Sequence, residues 1–343
     1  MKRIKIAQIG TGHDHAMQNF SSLLKQTDIF DVVGYARVEQ EDDKAFQAVK
    51  DKEISLETLF STPGLEAVTI ETFDLNLVKY AQMAADRGLH VFMDKPGSQS
   101  CEDFEKLLST LKIKGKVFSI GYMYRFNLGV QEALSAIQAG KLGEIYSVEA
   151  QMSCDHMKAK RQWLESFTGG MMFYLGCHLV DLIYSILGVP DEIIPYNMST
   201  GVFKVSAEDY GFAIFKYKNG LSFLKSCASE VGGYERRQLV ICGSLGTIEL
   251  KPLEWPFEQG ANQQTSYRIC CKQDENTIFN WWEQAPCKRT AVQDRYDGMM
   301  RDFAHKIMKG TMSSSDFERE ARVHRMVLAA CGLKVNYKED INL

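Results

Sequence analysis

Near its start the chain reads Ile4-Lys5-Ile6-Ala7-Gln8-Ile9-Gly10-Thr11-Gly12-His13-Asp14-His15-Ala16. The short apolar run predicts a strand over Ile4–Ile9, and a helix is predicted over Ala16–Lys25. Of the two glycines between them, the first permits a tight turn and the second lets backbone N–H groups approach a pyrophosphate at the N-terminus of the helix. The stretch therefore predicts a dinucleotide-binding turn at the start of an α/β domain.

The glycine pattern of this turn is incomplete, because His15 stands where G-x-G-x-x-G has its third glycine. A turn that needs two glycines only for its backbone conformation is the alternative. The position of the turn directly between a strand and a helix favours dinucleotide binding. The candidate contacts are the residues of the turn: Gly10, Thr11, Gly12, His13, Asp14 and His15.

His13 and His15 also have a spacing found among metal ligands. The H-x-H spacing suits a strand or an extended turn, but no carboxylate or cysteine cluster accompanies the pair in the sequence. We therefore predict no metal site, and we expect the two histidines to contact phosphate or substrate, or to face solvent.

Short apolar segments alternate with segments of helical period through the first 120 residues. The predicted strands that follow the first are 31–36, 67–71, 90–93 and 117–121, and the predicted helices between them are 39–49, 75–87 and 101–112. Apolar strands that alternate with helices pair in parallel, with both faces of the sheet covered. The pattern predicts a doubly wound parallel sheet over residues 1–122.

The pattern changes after about residue 125. Helices are predicted over 128–139, 170–187, 294–309 and 317–331, and strands over 143–152, 192–198, 209–217, 221–226, 237–241 and 247–250. Asn219-Gly220 joins two of these strands, and Asn-Gly is a strong hairpin signal. Residues 123–343 are therefore predicted to form an α+β domain on a mostly antiparallel open sheet, with the last helices as candidates to pack back on the first domain.

The composition excludes several classes of protein. Forty Lys and Arg residues against 44 Asp and Glu residues give a formal net charge of −4 without a long run of one sign, which argues against nucleic-acid and membrane-surface partners. No stretch approaches the roughly 20 apolar residues of a membrane span. The nine cysteines form no C-x-x-C pair, so we expect reduced thiols and a cytoplasmic location.

Arg37 follows the second predicted strand, where a fold that binds NAD normally places Asp or Glu against the ribose hydroxyls. A guanidinium at this position can pair with a 2′-phosphate, which favours NADP over NAD. The alternative is an arginine that packs on adenine or lies in solvent, with Glu39 binding the ribose of NAD.

Asp94-Lys95-Pro96 comes at the carboxyl end of another predicted strand, where ligands gather in open α/β sheets. A lysine there can hydrogen-bond a substrate hydroxyl and stabilise a developing alkoxide. The tripeptide by itself is also common on protein surfaces.

Several motifs occur together in a recognisable order. They are the opening Gly-x-Gly, Asp94-Lys95-Pro96, Gly121-Tyr122-Met123-Tyr124-Arg125-Phe126-Asn127, Gly140-Lys141-Leu142-Gly143-Glu144-Ile145, Gly169-Gly170 with Leu175-Gly176-Cys177-His178-Leu179-Val180-Asp181, and Val240-Ile241-Cys242-Gly243-Ser244-Leu245-Gly246-Thr247-Ile248-Glu249. On these motifs the chain resembles the glucose–fructose oxidoreductase / inositol dehydrogenase / MocA family of NAD(P)-dependent dehydrogenases. The resemblance spans nearly the whole chain.

The resemblance implies a Rossmann domain that binds NAD or NADP and a second domain whose open sheet forms dimers or tetramers. It implies that Lys95 positions the reacting hydroxyl of a sugar, polyol or related compound and that His178 is the acid/base. Arg125, Asn127 and Asp181 are the implied substrate residues. Four residues at the ends of strands are candidate cofactor contacts: Glu71, Thr72, Asp94 and Lys95.

The chain departs from the family pattern at two places. Tyr174 stands one helical turn before His178, where the family often has Asp. A tyrosine can donate a hydrogen bond or a proton, but it supplies no counter-charge near pH 7, so Tyr174 is an additional catalytic candidate. Thr72-Phe73-Asp74 replaces Thr-Pro-Asn, and Leu77 replaces a histidine. Trp163 lies in a segment expected to overhang the cleft and suits a sugar ring, with loop packing as the alternative.

The sequence therefore predicts an NAD(P)-dependent dehydrogenase for a carbohydrate-like small molecule. One alternative is a non-catalytic sensor of nucleotide or sugar with the same fold. Another is a redox-neutral enzyme that holds its NAD tightly and oxidises the substrate only transiently.

Overall fold

The structure is a computed structural model that describes residues 3–40, 44–256, 262–280, 284–310 and 312–343. The chain divides into two compact units. The first unit consists of the described residues of 1–123, 296–324 and 340–343. The second unit consists of the described residues of 124–295 and 325–339.

The strands alternate with helices in the first unit and follow one another in the second. They are β1 (Ile4–Ile9), β2 (Phe30–Ala36), β3 (Ala67–Ile70), β4 (His90–Met93), β5 (Phe118–Ile120), β6 (Ile145–Gln151), β7 (Glu192–Pro195), β8 (Tyr210–Tyr217), β9 (Gly220–Cys227), β10 (Gln238–Gly243), β11 (Gly246–Leu250), β12 (Trp255–Pro256), β13 (Asn262–Gln264), β14 (Ser266–Cys271), β15 (Lys288–Arg289) and β16 (Gln293–Asp294).

The α-helices of the described ranges are mostly amphipathic elements that cover the sheets. They are α1 (Ala16–Lys25), α2 (Leu56–Ser61), α3 (Leu77–Asp86), α4 (Cys101–Ile113), α5 (Leu128–Gln138), α6 (Lys158–Trp163), α7 (Cys177–Leu187), α8 (Asp297–Lys309) and α9 (Ser314–Ala330). None of these helices combines the length and the apolarity that crossing a membrane would require.

Five parallel strands in the order β2-β1-β3-β4-β5 form the sheet of the first unit. The strands β3 and β5 are buried throughout, because helices cover both faces. This confirms the predicted doubly wound parallel sheet. The chain order reverses between β1 and β3, and ligands in such sheets bind at the carboxyl ends of the strands beside this reversal.

Gly10 sets the geometry at this point of the sheet. Its φ is +90°, and an added Cβ would lie 2.6 Å from the backbone nitrogen of Thr72. The backbone N–H of His13 donates to the carbonyl of Glu71 (3.0 Å). Only a glycine permits this approach, so the turn after β1 lies directly against the segment after β3.

The second unit contains an eight-stranded sheet in the order β15-β14-β11-β10-β6-β9-β8-β7. Every pair is antiparallel except β6 with β9. Buried and half-buried residues alternate along β8 and β10, as expected for a sheet with one face on a core. This confirms the predicted, mostly antiparallel sheet; β12, β13 and β16 form a small separate one.

Two predicted helices differ from the structure. The helix predicted over 170–187 begins instead with a π-helical turn over Met172–Gly176 and becomes regular at α7. The backbone N–H of Met171 donates to the carbonyl of Glu208 (2.8 Å), a partner outside the helix. The irregular first turn is thus accompanied by a hydrogen bond to a residue that is distant in sequence. The apolar periodicity of a helix does not encode such a bond.

The segment after β2 also differs from the prediction. In place of a helix over 39–49 the structure has a 3₁₀ helix over Lys44–Lys52, while residues 41–43 lie outside the described ranges. The helix α2 was not predicted; the hydroxyl of Ser55, the residue before it, caps the helix by accepting the N–H of Thr58 (3.0 Å). A helix of one and a half turns has too few apolar positions to show a period.

His90 makes the stability of the first unit sensitive to pH. Its ring Nδ1 accepts the backbone N–H of Val117 (2.9 Å), which ties the start of β4 to the segment before β5. Burial, and then the charge of Lys116, lower the pKa of His90 from 6.5 to about 4. As the pH falls, His90 takes up a proton in the unfolded chain before it does so in the folded protein. Its contribution to the free energy of unfolding is therefore fully present above pH ~6.5 and decreases by about 1–2 kcal/mol towards pH 4.

Urea denaturation at pH 7 and pH 4.5 measures this loss. We expect His90→Gln to lose less stability between the two pH values than the unchanged protein, because glutamine does not titrate. His305→Gln, at an exposed position of α8, is the matched control and keeps the original pH dependence. Equal losses in the unchanged protein and in His90→Gln would contradict the assignment.

Candidate functional site

A buried polar cluster lies at the carboxyl ends of three neighbouring strands of the first unit. The fold brings its members together from the turn after β1, from α1, and from the segments after β3 and β4. They are His13, His15, Asn19, Glu71, Asp74 and Asp94. All but His15 are fully or almost fully buried.

Asp94 is the centre of this cluster. Its Oδ2 lies 3.2 Å from Nδ1 of His13 and 3.1 Å from Nδ1 of His15, and it accepts a hydrogen bond from the Asn19 amide (3.0 Å). Its Oδ1 accepts the backbone N–H of Lys95 (2.7 Å). An added Cβ on Gly121 would lie 2.4 Å from the same Oδ1, so glycine at 121 leaves space for the carboxylate.

The carboxyl groups of the cluster have opposite pKa shifts. Burial and the neighbouring Asp94 carboxylate raise the pKa of Glu71 well above its ordinary value. Burial opposes ionisation of Asp94, but the charges of His13 and His15 and their hydrogen bonds outweigh it and lower the pKa of Asp94 well below its ordinary value. Environments that separate the pKa values of adjacent carboxyls are typical of functional sites.

The two histidines also differ from one another. Burial lowers the pKa of His13, but the charges of Asp94 and Asp74 and the hydrogen bond to Asp94 raise it by more, so the net shift is upward. For His15 burial dominates over Asp94 and lowers the pKa to about 4. Of the two alternatives expected for these histidines, exposure to solvent is wrong for His13, whose side chain is 1% exposed. Contact with phosphate or substrate stays a prediction.

The rest of the turn leads into the start of α1. Thr11 and Gly12 are half-buried and Asp14 is exposed. The N-terminus of α1 has no side-chain cap and no acidic residue in its first turn within the described chain. The Phe73 ring packs against Gly12, where an added Cβ would lie 2.8 Å from its Cδ1. Thr72 is buried, and its hydroxyl donates to the Phe73 carbonyl (3.3 Å).

The two residues predicted to read the ribose both have protein partners. Nε of Arg37 lies 3.3 Å from Oε1 of Glu53. The Glu39 carboxylate accepts the backbone N–H of Phe73 (2.8 Å) and the amide of Asn76. A ribose 2′-phosphate would therefore compete with Glu53 for Arg37, and Glu39 helps to fix the segment after β3.

Lys95 follows Asp94 in a rigid turn. The residue is 1% exposed, and the Lys95–Pro96 peptide is cis. Gly97 has a φ of +107° and lies against the ring of His324. That ring stacks on Phe104 at 4.0 Å, and its Nε2 lies 2.8 Å from the Ser98 carbonyl. The turn that carries Lys95 is thereby held by α4 and α9.

In the second unit His178 lies on α7 and is 2% exposed. Its ring makes an edge contact with the ring of Tyr124 at 5.1 Å. The Tyr124 hydroxyl donates to Glu254 Oε1 (2.6 Å), and Glu254 also pairs with Arg237 and with Arg295 (2.8 Å). Burial opposes ionisation of Glu254, but the charges of Arg295 and Arg237 lower its pKa below the ordinary value.

Arg125 and Asp181, predicted separately as substrate residues, pair with each other. Nε and Nη2 of Arg125 both donate to the Asp181 carboxylate at 2.7–3.0 Å. The side chain of Asn127 caps α5 by accepting the N–H of Val130 (3.0 Å), and it also accepts the Thr265 hydroxyl (3.0 Å). A substrate contact by the buried Asn127 stays a prediction.

Trp163 and Tyr174 are brought together in the second unit. Their rings meet edge to face at 5.3 Å. Nζ of Lys160 lies 3.8 Å from the Trp163 ring centroid and 4.6 Å from that of Tyr174. Tyr174, which was predicted only in relation to His178, therefore belongs to an aromatic cluster with Trp163, and the ammonium group of Lys160 lies over both rings.

Sequence reasoning missed Asn19 and Asp74 in the first unit and Glu254, Arg237 and Arg295 in the second. Asp74 lies two residues after the predicted cofactor contact Thr72, so its position near the end of a strand could have identified it as a site residue. The three residues around Tyr124 come from separate loops, and no local pattern marks them.

Comparisons with known proteins match both parts of the chain. The family described as "Oxidoreductase family, NAD-binding Rossmann fold" matches residues 4–122. The description "GFO/IDH/MocA C-terminal domain" matches residues 130–249. The first match covers the parallel sheet, and the second covers much of the antiparallel sheet.

Curated relatives include enzymes of different names. The 2,7-anhydro-N-acetylneuraminate hydratase of Mediterraneibacter gnavus is 26% identical over 197 residues, which cover 56% of this chain and 52% of the relative. The D-xylose 1-dehydrogenase (NADP(+)) 2 of Haloferax volcanii is 26% identical over 172 residues, which cover 48% of this chain and 51% of the relative. The chain spans about half the length of these curated relatives.

Solved structures show the same fold. A putative NADPH-dependent oxidoreductase from Desulfitobacterium hafniense superposes with a TM-score of 0.78 at 16% identity, covering 97% of this chain and 95% of that one. A 3-ketoreductase from Actinomadura kijaniata, solved with NADP and TDP-benzene, has a TM-score of 0.77 at 15% identity, covering 95% and 96%.

The buried pairing of Glu254 predicts a large effect on stability. Glu254→Gln removes the negative charge between two arginines, and Arg237 then stays buried without its counter-charge. We expect the free energy of unfolding to decrease by about 3 kcal/mol, as for other buried pairs that lose one partner. Urea denaturation measures the change.

The matched control is Glu192→Gln, which removes the carboxylate of the exposed pair with Lys216. Exposed pairs contribute little, so this variant should unfold almost as the unchanged protein does. Equal effects of the two substitutions would show that burial does not govern the Glu254 pairing.

Proposed function

Because the chain belongs to the GFO/IDH/MocA family of oxidoreductases, with an NAD-binding Rossmann fold in its N-terminal part, we propose that it is an NAD(P)-dependent enzyme. It transfers hydride between the nicotinamide and a hydroxyl-bearing carbon of a sugar, polyol or related small molecule. The observation that carries the proposal is the turn over residues 10–15 at the reversal of strand order, beside the buried Lys95.

The residues of the turn suit the dinucleotide. Gly10 and Gly12 let the backbone approach a pyrophosphate, and the uncapped N-terminus of α1 provides N–H groups and a positive helix end for it. Glu71, Thr72 and Asp94 are the further candidate contacts at the strand ends. The nicotinamide supplies the hydride-transfer chemistry, while the protein supplies binding, orientation and a place for the proton.

Lys95 and His178 perform separate tasks in this proposal. Lys95 donates a hydrogen bond to the substrate oxygen and stabilises negative charge that develops on it. His178 takes the hydroxyl proton during oxidation and returns it during reduction. Tyr174 is a further candidate for proton donation. The electron pair of the C–H bond leaves with the hydride, so the hydroxyl carbon becomes a carbonyl.

A carbohydrate-like substrate fits the second unit. The edge-to-face rings of Trp163 and Tyr174 suit the apolar face of a sugar ring, and the paired Arg125 and Asp181 offer donors and acceptors for hydroxyls. Relatives named D-xylose 1-dehydrogenase and 3-ketoreductase support this substrate class. Assembly as a dimer or tetramer through the open sheet and a cytoplasmic location stay predictions.

A redox-neutral reaction is the second candidate. Relatives from Mediterraneibacter gnavus and Escherichia coli, 26% and 29% identical, are named hydratases, and the addition of water involves no net oxidation. A cofactor held through the whole cycle would be reduced and reoxidised on the same substrate. Reduced nicotinamide that accumulates in step with product supports the dehydrogenase, and product without such accumulation supports the redox-neutral enzyme.

Lys95→Met tests the role of the lysine. It keeps the length and apolar stem of the side chain but removes the ammonium group. We expect turnover to decrease by about 100-fold or more, while the dissociation constant of the dinucleotide changes by less than about threefold. Substrates come from a screen of sugars and polyols, followed by the absorbance of reduced nicotinamide.

Lys106→Met, at an exposed position of α4, is the control and keeps full turnover. Unchanged turnover in Lys95→Met would refute the catalytic role and favour the sensor alternative. Parallel loss of dinucleotide binding would show that Lys95 serves the cofactor instead.

Arg37 tests the preference between the two dinucleotides. We expect NADPH to bind more tightly than NADH, and Arg37→Ala to weaken NADPH binding by about tenfold with little effect on NADH, because only NADPH has the 2′-phosphate. Titrations followed by nicotinamide fluorescence measure both constants.

Glu53→Gln is the complementary variant, because it removes the carboxylate that competes for Arg37. It should strengthen NADPH binding. Tighter binding of NADH by the unchanged protein, or no effect of Arg37→Ala, would contradict the NADP preference.

A further inference from the structure

Two imidazole nitrogens approach one carboxylate oxygen in the first unit. Nδ1 of His13 and Nδ1 of His15 lie 3.2 Å and 3.1 Å from Oδ2 of Asp94. One possible ligand atom from each of His13, His15 and Asp94 lies within 4.8 Å of the other two. Metal–ligand bonds of about 2.0–2.2 Å place neighbouring ligand atoms about 3.0–3.5 Å apart, so the separations from Oδ2 match the edges of a coordination sphere.

Hydrogen bonding alone does not satisfy the neutral ring of His13. Its Nδ1 faces Asp94, and its Nε2 lies 3.7 Å from Oδ1 of Asp74. A neutral imidazole has one N–H, so one ring nitrogen presents a lone pair to a carboxylate in either tautomer. The backbone N–H of His15 donates to Nδ1 of His13 (3.2 Å), which favours the lone pair on Nδ1 and the hydrogen on Nε2. In this tautomer Nδ1 carries no hydrogen of its own, although it lies 3.2 Å from Oδ2 of Asp94.

The surroundings also favour a cation. Glu71, Asp74 and Asp94 bring three buried carboxyl groups to the cluster. Four of its buried polar atoms have no hydrogen-bond partner among the described residues: Nε2 of His13, Oδ1 of Asn19, Oε2 of Glu71 and Oδ1 of Asp74. Buried polar atoms are rarely left unpaired, so several together mark a place where a bound cation would find partners.

We propose that His13, His15 and Asp94 form a binding site for one divalent transition-metal cation of the zinc class. Nδ1 of each histidine and Oδ2 of Asp94 are the ligand atoms. Imidazole ligands suit Zn²⁺ and its neighbours, whereas Mg²⁺ and Ca²⁺ take oxygen ligands. Oδ1 of Asp74 lies 3.7 Å from Nε2 of His13, on the side of the ring where carboxylates stand beside metal-bound histidines.

This site goes beyond the proposed function and does not rest on it. The ligands come from one unit, and metal binding needs neither substrate nor dinucleotide. The sequence-based expectation of no metal depended on the absence of a carboxylate near the H-x-H pair. The fold brings one from a position 79 residues away.

Metal binding is measured on the full chain after removal of metals by a chelator and with the cysteines kept reduced. Zn²⁺ in competition with a chromophoric chelator gives the stoichiometry and affinity, and Mg²⁺ is titrated in parallel. We expect one Zn²⁺ per chain with a dissociation constant of about 1 μM or lower, and no comparable binding of Mg²⁺.

His15→Ala is the main variant, because its side chain is the most exposed of the three at 16%. Loss of a ligand should weaken Zn²⁺ binding by more than the roughly 10–100-fold typical for loss of an outer partner. His305→Ala, on the surface of α8, is the matched control and keeps the affinity. Asp94→Asn is the second variant if His15→Ala does not fold, as judged by circular dichroism.

Two results would overturn the proposal. One is the absence of tight Zn²⁺ binding by the unchanged protein. The other is equal binding by the unchanged protein, a folded ligand variant and His305→Ala, which would assign the metal to thiols or surface histidines. NADH and NADPH titrations of the same metal-free protein report on the proposed function separately, so failure of either proposal is recognised by itself.

Discussion

The close approach of Gly10 to the backbone of Glu71 and Thr72 constrains the whole first unit. With an added Cβ 2.6 Å from the Thr72 nitrogen, no other residue fits there without moving β1 away from β3. The approach lets the turn after β1 hydrogen-bond to the Glu71 carbonyl. His13 is thereby directed into the sheet edge where Asp74 and Asp94 lie. The turn, the buried cluster and the candidate cofactor contacts depend on this one contact.

The two units contain buried charges that are compensated in different ways. In the second unit the Glu254 carboxylate lies between two arginines and accepts the Tyr124 hydroxyl, so its charge is matched within the protein. In the buried cluster of the first unit three carboxyl groups meet, and Oε2 of Glu71 and Oδ1 of Asp74 have no hydrogen-bond partner among the described residues. Burial of unmatched charge is costly, and proteins retain it mainly where a ligand, an ion or a proton completes the site. This contrast places the candidate chemistry at the strand ends.

Much of the fold could be predicted from local patterns. The strand over Ile4–Ile9 and the helix over Ala16–Lys25 have the predicted bounds, because apolar runs and a glycine turn are local signals. The start of the helix at 170–187 was wrong, since the π-helical turn involves a bond from Met171 to the Glu208 carbonyl. The short α2 was missed, and the segment after β2 forms a 3₁₀ helix. These elements depend on contacts or lengths that periodicity does not encode.

The sequence by itself determined the parallel sheet, the antiparallel sheet, the dinucleotide-type turn and the positions of Lys95 and His178 in recognisable motifs. Only the tertiary structure decided which side chains meet: Asp94 with His13 and His15, Arg125 with Asp181, and Trp163 with Tyr174. The physical reason is that apolar periodicity is set by neighbours a few residues apart. Which polar side chains meet depends instead on the order of the strands and on how closely the loops approach one another. Glycines such as Gly10 and Gly121 permit that close approach to residues from a distant part of the chain.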